Sequence, residues 1–400
     1  MPNYSPTDKE SGMRQVLRLG IVSFLTDFST EMILGILPLF IVNNLGASRS
    51  ILGAIEGTAE FASYAFRMVS GVLSDKLGKR KIIVIVGYGL SAISKPFFAF
   101  SAGWLDAFAI RASDRIGKGV RTAPRDAMIS DFVPEKISGK AFGVHRTIDQ
   151  LGAVAGPIAA FALLQIIDIR GIFLLSLLPG AAAVIILIFF VKEKVIKNPS
   201  NSTIFSNIGT VVRRNKPFSL LLIITGIFGL GAFNFSYVLL KSSDLGVSED
   251  MIPIVYAVIN LTHAGIGIPS GILADKIGKE KVLIVGYLMF LVSIVFMIIL
   301  SSNFLYSFLL ASMFGLYMGI SETVQRAIVP RYVTSELRGT AFGIYTLVLG
   351  AMFFVSNIVF GFLWDNYSLN AAGTYSMILT SIAIVGMILF SRKYAKQISN

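Results

Sequence analysis

The sequence predicts an all-α membrane protein in which twelve transmembrane helices form two six-helix bundles related by a pseudo-two-fold axis. Two observations lead to this fold class. Hydrophobic residues make up 54% of the 400-residue chain and charged residues only 14%, a composition typical of a chain surrounded by lipid. In addition, a short phrase around Asp75 recurs around Asp275, 200 residues later. The chain is therefore built from two copies of one unit.

Twelve apolar stretches of about 20 residues each are long enough to cross a bilayer, and six fall in each copy. They cover approximately residues 16–43, 50–74, 81–101, 105–131, 139–166, 171–191, 217–243, 250–274, 281–301, 304–331, 338–365 and 371–391. We expect an N-terminal bundle over 1–191, a polar, breaker-rich linker over 192–216 and a C-terminal bundle over 217–400. The first apolar stretch is too long for a cleaved secretory signal.

Basic residues fall in alternate loops of this topology. Lys76, Lys79 and Lys136 lie in loops on one side, whereas the opposite loops hold little more than Arg49 and Arg170. By the positive-inside rule we expect a multi-pass protein of the cytoplasmic membrane, with both termini and the linker in the cytoplasm. We expect the basic loops, which give the chain its net charge of +12, to contact anionic lipid headgroups. No nucleic-acid partner is expected.

The sequence gives little support for an enzyme or for a metal-dependent protein. The chain has no cysteine, which excludes disulfides, thiolate nucleophiles and sulfur-bound metals. Gly117-Lys118-Gly119 lacks the spacing of a phosphate-binding loop. We therefore expect no enzyme, no cofactor and no resident metal ion.

The repeated phrase carries a family resemblance. Residues 71–81 resemble the signature loop between the second and third helices of the major facilitator superfamily, Gly-x-x-x-Asp-(Arg/Lys)-x-Gly-(Arg/Lys)-(Arg/Lys), and 271–281 resemble its weaker echo in the second half. The resemblance covers nearly the whole chain and implies the fold of that family, with loops that latch the cytoplasmic side in one of two alternating states. Glu280 in place of Arg80 implies a weaker second latch. The residues to which the resemblance assigns gating here are Gly71, Asp75, Gly78, Arg80 and Asp275.

The fifth apolar stretch resembles the antiporter pattern of proton-driven exporters in the same family. Gly143, Gly152, Gly156 and Pro157 match this pattern, whereas the glycine pair that ends it is replaced by Ala160-Phe161. The match implies export by antiport and adds Gly152, Gly156 and Pro157 to the gating set. Because of the replaced pair, uptake or facilitated exchange stays open.

Ionisable residues inside the apolar stretches are concentrated in the first copy. Each costs roughly 2.5–3.5 kcal/mol to insert into a bilayer, so a cluster of them indicates a functional site. Asp27 lies about eleven residues into the first stretch, near the bilayer midplane, and is our first choice for a group that binds and releases a proton. The full set of candidate proton-coupling residues is Asp27, Glu31, Glu56, Glu60 and Asp149.

The fourth stretch carries a cationic stripe at i, i+4 and i+7, formed by Arg111, Arg115 and Lys118. Arg115-Ile116-Gly117-Lys118-Gly119 resembles the family's fourth-helix motif, which is associated with proton transfer, although Lys118 replaces the usual glutamine. A positive half that faces a polar and aromatic half favours an anionic or amphipathic solute held near mid-membrane. The candidate substrate-binding residues are Arg111, Arg115, Lys118, Arg146, Asn234, Tyr237, Tyr256, Asn260 and Glu322.

These expectations describe a monomeric secondary transporter that exchanges protons for a small organic solute by alternating access. Three alternatives stay open. The protein is a proton symporter or facilitator for uptake of an anionic metabolite, an exporter of metal ions through Asp27 and Glu31, or a membrane scaffold or sensor that transports nothing.

Overall fold

Helices account for every regular element in the described part of the chain. A computed structural model describes residues 6–193, 215–301, 303–333 and 338–395. The predicted linker over 192–216 therefore lies largely outside the described residues. Apolar composition and glycine-rich helix faces, rather than strand-like alternation, explain this all-helical result.

The first half of the chain contains eight α-helices in its described residues: α1 (Pro6–Leu34), α2 (Leu37–Leu39), α3 (Arg49–Leu77), α4 (Arg80–Ser94), α5 (Trp104–Phe132), α6 (Glu135–Leu164), α7 (Ile169–Leu175) and α8 (Leu177–Phe190). The second half continues with α9 (Lys216–Gly231), α10 (Phe235–Asp244), α11 (Ile252–Ile277), α12 (Lys279–Ile299), α13 (Leu305–Ile328), α14 (Arg338–Asn366) and α15 (Leu369–Phe390). Short 3-10 turns extend two of them, with Lys95–Phe100 after α4 and Val329–Arg331 after α13.

Ten helical stretches among the described residues are long and apolar enough to cross a membrane. The helices α3 and α5 are not among these ten, although each has 29 residues. At 1.5 Å per residue their length of about 44 Å exceeds the roughly 30 Å hydrocarbon core. Their charged residues lower their hydropathy. The count of twelve spans therefore stays a prediction that depends on α3 and α5.

Two glycine turns recur at the offset of the sequence repeat. In the described residues, positive φ angles occur at Gly46 (64°), Gly246 (93°), Gly78 (62°) and Gly278 (104°). These four form two pairs whose members are 200 residues apart. A side chain is strained in this backbone region, so glycine is needed at the same two turns in each copy.

The chain divides into two compact units. The first comprises residues 1–40 and 62–202, and the second comprises 41–61 and 203–400. The first part of α3 thus belongs to the second unit. The predicted bundle boundaries at 191 and 217 stay a prediction.

Small residues allow the helices of the first unit to pack closely. A Cβ atom on Gly156 of α6 would lie 2.7 Å from the carbonyl oxygen of Phe28 on α1. A Cβ atom on Gly117 of α5 would lie 2.7 Å from the carbonyl oxygen of Gly87 on α4. Glycine is therefore required at both crossings.

Aromatic side chains fill the core of the second unit. Phe228 stacks on Tyr287 with ring centroids 3.8 Å apart and an interplanar angle of 6°. Phe233 contacts Phe290 and Phe360 at 5.0 and 4.5 Å. All five rings are buried, so they supply packing energy rather than a ligand surface.

Candidate functional site

The first unit contains a buried network of charged side chains, and Asp149 of α6 is one of its paired carboxylates. Asp149 accepts a hydrogen bond from the Ser23 hydroxyl and another from Nη1 of Arg146 at 3.1 Å. Ser23 in turn accepts from Nη1 of Arg125 at 3.3 Å. These contacts connect α1, α5 and α6.

Asp114 of α5 is paired in the same way. Its carboxylate accepts from the Ser91 hydroxyl at 2.5 Å and from Nη1 of Arg111 at 3.3 Å. Both charged side chains are buried. The i, i+3 spacing of Arg111 and Asp114 places them on one helix face, and Ser91 comes from the tightly packed α4.

A third carboxylate, Asp126, lies between two guanidinium groups. It accepts from Nη2 of Arg125 at 2.7 Å and from Nη2 of Arg67 at 3.4 Å. Arg125 thus pairs with Asp126 and contacts the Asp149 cluster through the Ser23 hydroxyl. In the cationic stripe predicted on the fourth helix, Arg111 is neutralised by Asp114.

Lys95 is a buried cation that the sequence reasoning did not select. It is 1% exposed, and its Nζ donates to the Thr30 hydroxyl on α1 at 3.0 Å. Its charge acts on Asp114, Asp27 and Glu31. A signal was present, because a lysine in the interior of the apolar stretch 81–101 is costly in lipid and therefore marks a functional or structural site.

Arg121 is a further buried cation near this network. Its guanidinium lies 4.7 Å from the centroid of the Tyr88 ring, and Nη1 is buried without a hydrogen-bond partner among the described residues. A cation–π contact compensates part of the lost hydration.

Asp27 differs from the other aspartates of this network. It is half-buried, and it forms no hydrogen bond or ion pair with any residue in the described part of the chain. The charges of Lys118 and Arg121, and of Asp149 and Glu31, act on it through space. Among the predicted proton-coupling residues of the first unit, Glu31 is buried one helical turn away and has polar interactions of its own.

Arg115, Lys118 and Arg146 complete the predicted set in the first unit. Arg115 is buried, Lys118 is half-buried, and the Arg146 side chain is 43% exposed. The structure thus brings together Asp27, Glu31 and Asp149 with four of the predicted substrate-binding cations, namely Arg111, Arg115, Lys118 and Arg146.

The remaining candidates belong to the second unit. Glu56 is buried there and Glu60 is half-buried, and their role in proton coupling stays a prediction. Tyr237 is fully buried, and its hydroxyl donates to the carbonyl oxygens of Asn357 and Arg49 at 2.6 and 3.1 Å. Asn234 caps α10 by accepting from the Ser236 amide at 2.9 Å. These contacts give Tyr237 and Asn234 structural roles, and a substrate-binding role for either residue stays a prediction.

Tyr256 and Asn260, one turn apart on α11, are also buried, and the Tyr256 ring stacks on Phe235 at 4.6 Å. Glu322 of α13 lies 2.8 Å from Nε2 of His263 on α11 and also pairs with Arg326. Glu322 therefore carries a charge that is partly exposed and paired with Arg326.

The predicted gating residues form distinct contacts in the two copies. Arg80 donates to Asp131 at 2.7 Å and to Asp75 at 3.1 Å. Asp275, the counterpart of Asp75, is 78% exposed and lies 3.8 Å from Lys279. Gly71 lies against Ala123 of α5, and Gly78 forms the positive-φ turn that ends α3.

The glycine seam of α6 packs against α1. A Cβ atom on Gly152 would overlap the carbonyl oxygen of Phe24, whereas one on Gly143 would meet nothing within 4 Å. Pro157 lies inside α6. The structure therefore gives Gly152 and Gly156 a packing role, and the gating role of these residues stays a prediction.

Comparison with known proteins decides the family. The family model of the Major Facilitator Superfamily matches residues 19–242 and 221–399. The chain belongs to the major facilitator superfamily. An MFS-type transporter of Methanocaldococcus jannaschii is 36% identical over 360 residues, which are 88% of each chain. This confirms the resemblance inferred from the repeated loop.

More distant similarities place the chain among membrane transporters of this superfamily. The quinolone resistance protein NorA of Staphylococcus aureus is 24% identical over 395 residues, covering 95% of this chain and 97% of NorA. The crystal structure of a point mutant of the nucleoside transporter NupG superposes with a TM-score of 0.78 at 14% identity, covering 95% of this chain and 100% of that one. The latter similarity establishes the fold alone.

Proposed function

We propose that the protein is a proton-coupled antiporter that exports a small organic solute, anionic or amphipathic in character, across the cytoplasmic membrane by alternating access. Proton binding in the first unit drives the exchange, and Asp27 carries the proton.

One observation carries this proposal. Asp149, Asp114 and Asp126 each accept hydrogen bonds from an arginine, which stabilises the charged carboxylate. Asp27, in the same network, has no such partner in the described residues. A half-buried carboxylate inside a membrane helix without a hydrogen-bonding arginine is a suitable group to bind and release a proton during the cycle.

The charge of α5 supports an anionic or amphipathic solute. Between residues 111 and 126 this helix carries five cations and two carboxylates, namely Arg111, Arg115, Lys118, Arg121 and Arg125 against Asp114 and Asp126. Protonation of Asp27 leaves this region more positive. An anionic group of the solute then compensates the excess, so solute binding and proton binding respond to each other electrostatically.

A distant relative supports export of an amphipathic solute. NorA is a quinolone resistance protein, and quinolones are amphipathic molecules that bear a carboxylate. The glycine pattern of α6 resembles that of antiporters as well. A quinolone is therefore the first probe to use.

The test uses purified protein in liposomes with a trapped pH-sensitive dye and an imposed pH gradient. Norfloxacin, lactate and the cationic dye ethidium serve as probes, and solute flux is followed together with internal pH. We expect Asp27→Asn to abolish proton movement and gradient-driven flux while solute exchange at equal pH continues. Asp27→Glu, which keeps a titratable group, restores part of the coupling.

Glu10→Gln is the matched control, because Glu10 forms an exposed pair with Arg14 and its loss leaves coupling intact. Solute counterflow without proton movement in the wild-type protein would point to a facilitator instead. Uptake coupled to proton entry would indicate a symporter, and no flux of any probe would favour a scaffold or sensor.

A further inference from the structure

The first unit contains an ion pair at the junction of α4 and α5. Arg80, the first residue of α4, donates from Nη1 to Oδ2 of Asp131 at 2.7 Å. Asp131 lies in the last turn of α5. The pair therefore joins the start of one helix to the end of the next, in the region that the predicted topology places on the cytoplasmic side.

The second unit contains an ion pair at the corresponding junction. Arg331, which ends the 3-10 turn after α13, donates from Nη1 to Oε2 of Glu280 at 3.1 Å. Glu280 lies in the first turn of α12. This pair joins the start of α12 to the end of α13.

The two ion pairs lie at equivalent positions of the repeat, but the acidic and the basic residue have exchanged places. Residue 280 is the counterpart of 80, and residue 331 is the counterpart of 131, each at the 200-residue offset. A change of sign at one position alone would place like charges against each other, which is destabilising. Both positions have changed sign, so the attraction is retained.

The positions of the acidic and basic residues in the second ion pair suit the helix dipoles better than those in the first pair do. An acidic group near a helix N-terminus and a basic group near a C-terminus are stabilising, and Glu280 and Arg331 meet both conditions. Arg80 and Asp131 have the opposite arrangement. The second junction is therefore not the weaker one that the replacement of arginine by Glu280 suggested in the sequence.

A tyrosine strengthens the second junction further. Tyr332 donates its hydroxyl to Oε1 of Glu280 at 2.5 Å, whereas the counterpart in the first copy is Phe132. Burial and this hydrogen bond raise the pKa of the Tyr332 phenol, so it stays protonated and remains a donor. Glu280 is 1% exposed, so both of its carboxylate oxygens are hydrogen-bonded away from water.

The exchange of charge also changes the contacts of Asp275, the counterpart of Asp75 in the repeated loop. In the first copy Asp75 accepts from Arg80 at 3.1 Å. In the second copy Asp275 has the acidic Glu280 in place of that arginine, and its side chain is largely exposed. Asp275 is thus outside the junction that its counterpart helps to form.

We propose that Glu280, Arg331 and Tyr332 are the gating residues of the second unit, as a charge-inverted counterpart of the Arg80–Asp131 pair, and that they replace Asp275 in this role. The inference rests on the proposed alternating-access transport. These are positioning residues, because they fix the ends of α12 and α13 and touch no solute.

The test measures conformation directly. The chain has no native cysteine, so spin labels can be attached at Lys76→Cys and Lys276→Cys, two exposed positions related by the repeat. We expect Glu280→Arg or Arg331→Glu to shift the population of distances between the labels measured by pulsed electron resonance. The double exchange Glu280→Arg with Arg331→Glu restores most of the wild-type distribution. Tyr332→Phe gives a smaller shift.

Asp275→Asn is the control and leaves the distribution unchanged. The proposal is overturned if Asp275→Asn shifts the distances as much as Glu280→Arg does, or if the double exchange recovers nothing. A lower melting temperature with unchanged distances would also overturn it, since that outcome marks a purely structural pair. If the single reversals fail to fold, the double exchange and Tyr332→Phe still decide.

The measurement uses neither a solute nor a proton gradient. Its failure therefore differs from failure of the proposed function, which concerns Asp27 and is measured by flux.

Discussion

Similar charged side chains of the first unit lie in different local environments. Asp114 and Asp27 are both aspartates within long helices, yet Asp114 has Ser91 and Arg111 as partners and Asp27 has none among the described residues. Sequence patterns identified Asp27 as a costly charge in lipid. They did not identify the hydroxyl partners, because serine is common in membrane helices and carries no distinctive spacing.

Lys95 leads to a prediction at this scale. Lys95→Met removes a charged hydrogen bond to Thr30 and part of the positive charge near Asp114, Asp27 and Glu31. A hydrogen bond to a charged group contributes about 1.5–3 kcal/mol, so we expect stability to fall by that order in thermal unfolding of the purified protein. Lys281→Met, at an exposed position, is the control. Equal effects of the two substitutions would contradict a structural role of the buried ammonium group.

At the scale of elements, glycine positions decide how closely α6 packs on α1. Gly143, Gly152 and Gly156 all belong to one sequence pattern, but only the latter two lie where a Cβ atom would be closer than 3.0 Å to α1. The pattern predicted a tightly packed seam on α6. Which helix it packs against depends on the tertiary fold.

This difference predicts opposite effects of one substitution at two sites. Gly152→Ala should destabilise the protein by about 1–3 kcal/mol, because the new methyl group overlaps the Phe24 carbonyl oxygen and forces the backbone to move. Gly143→Ala, with open space around it, should stabilise by about 0.5–1 kcal/mol through lower backbone entropy of the unfolded chain. Thermal unfolding of both variants in the same detergent provides the comparison. The prediction fails if the two substitutions change the melting temperature in the same direction.

At the scale of the whole molecule, the number of membrane crossings depends on α3 and α5. Both are long enough to span, but their charges distinguish them from the ten apolar stretches. The buried contacts of Arg111, Asp114 and Arg115 provide the compensation that lets such a helix lie within a membrane protein.

Accessibility of introduced cysteines tests this topology. Ala102→Cys and Lys140→Cys lie at exposed positions on either side of α5, and Asn44→Cys and Lys79→Cys flank α3. A membrane-impermeant maleimide added to intact cells should label residues 44 and 102 but not 79 and 140. All four should react after the cells are opened. Labelling of both members of a pair in intact cells would show that the helix between them does not cross.

The sequence by itself determined the membrane-helical class, the duplication and the family, because hydropathy and repeated glycine-containing turns are local properties of the chain. It also identified Asp27 and the cations of α5, since charge in an apolar stretch is visible without coordinates. Only the tertiary structure decided which charges are paired, that Lys95 belongs to the network, that Tyr237 is buried in packing, and that Glu280 pairs with Arg331. Those outcomes depend on which side chains meet across helices, and contacts between residues 51 or 126 positions apart leave no signature in a single sequence.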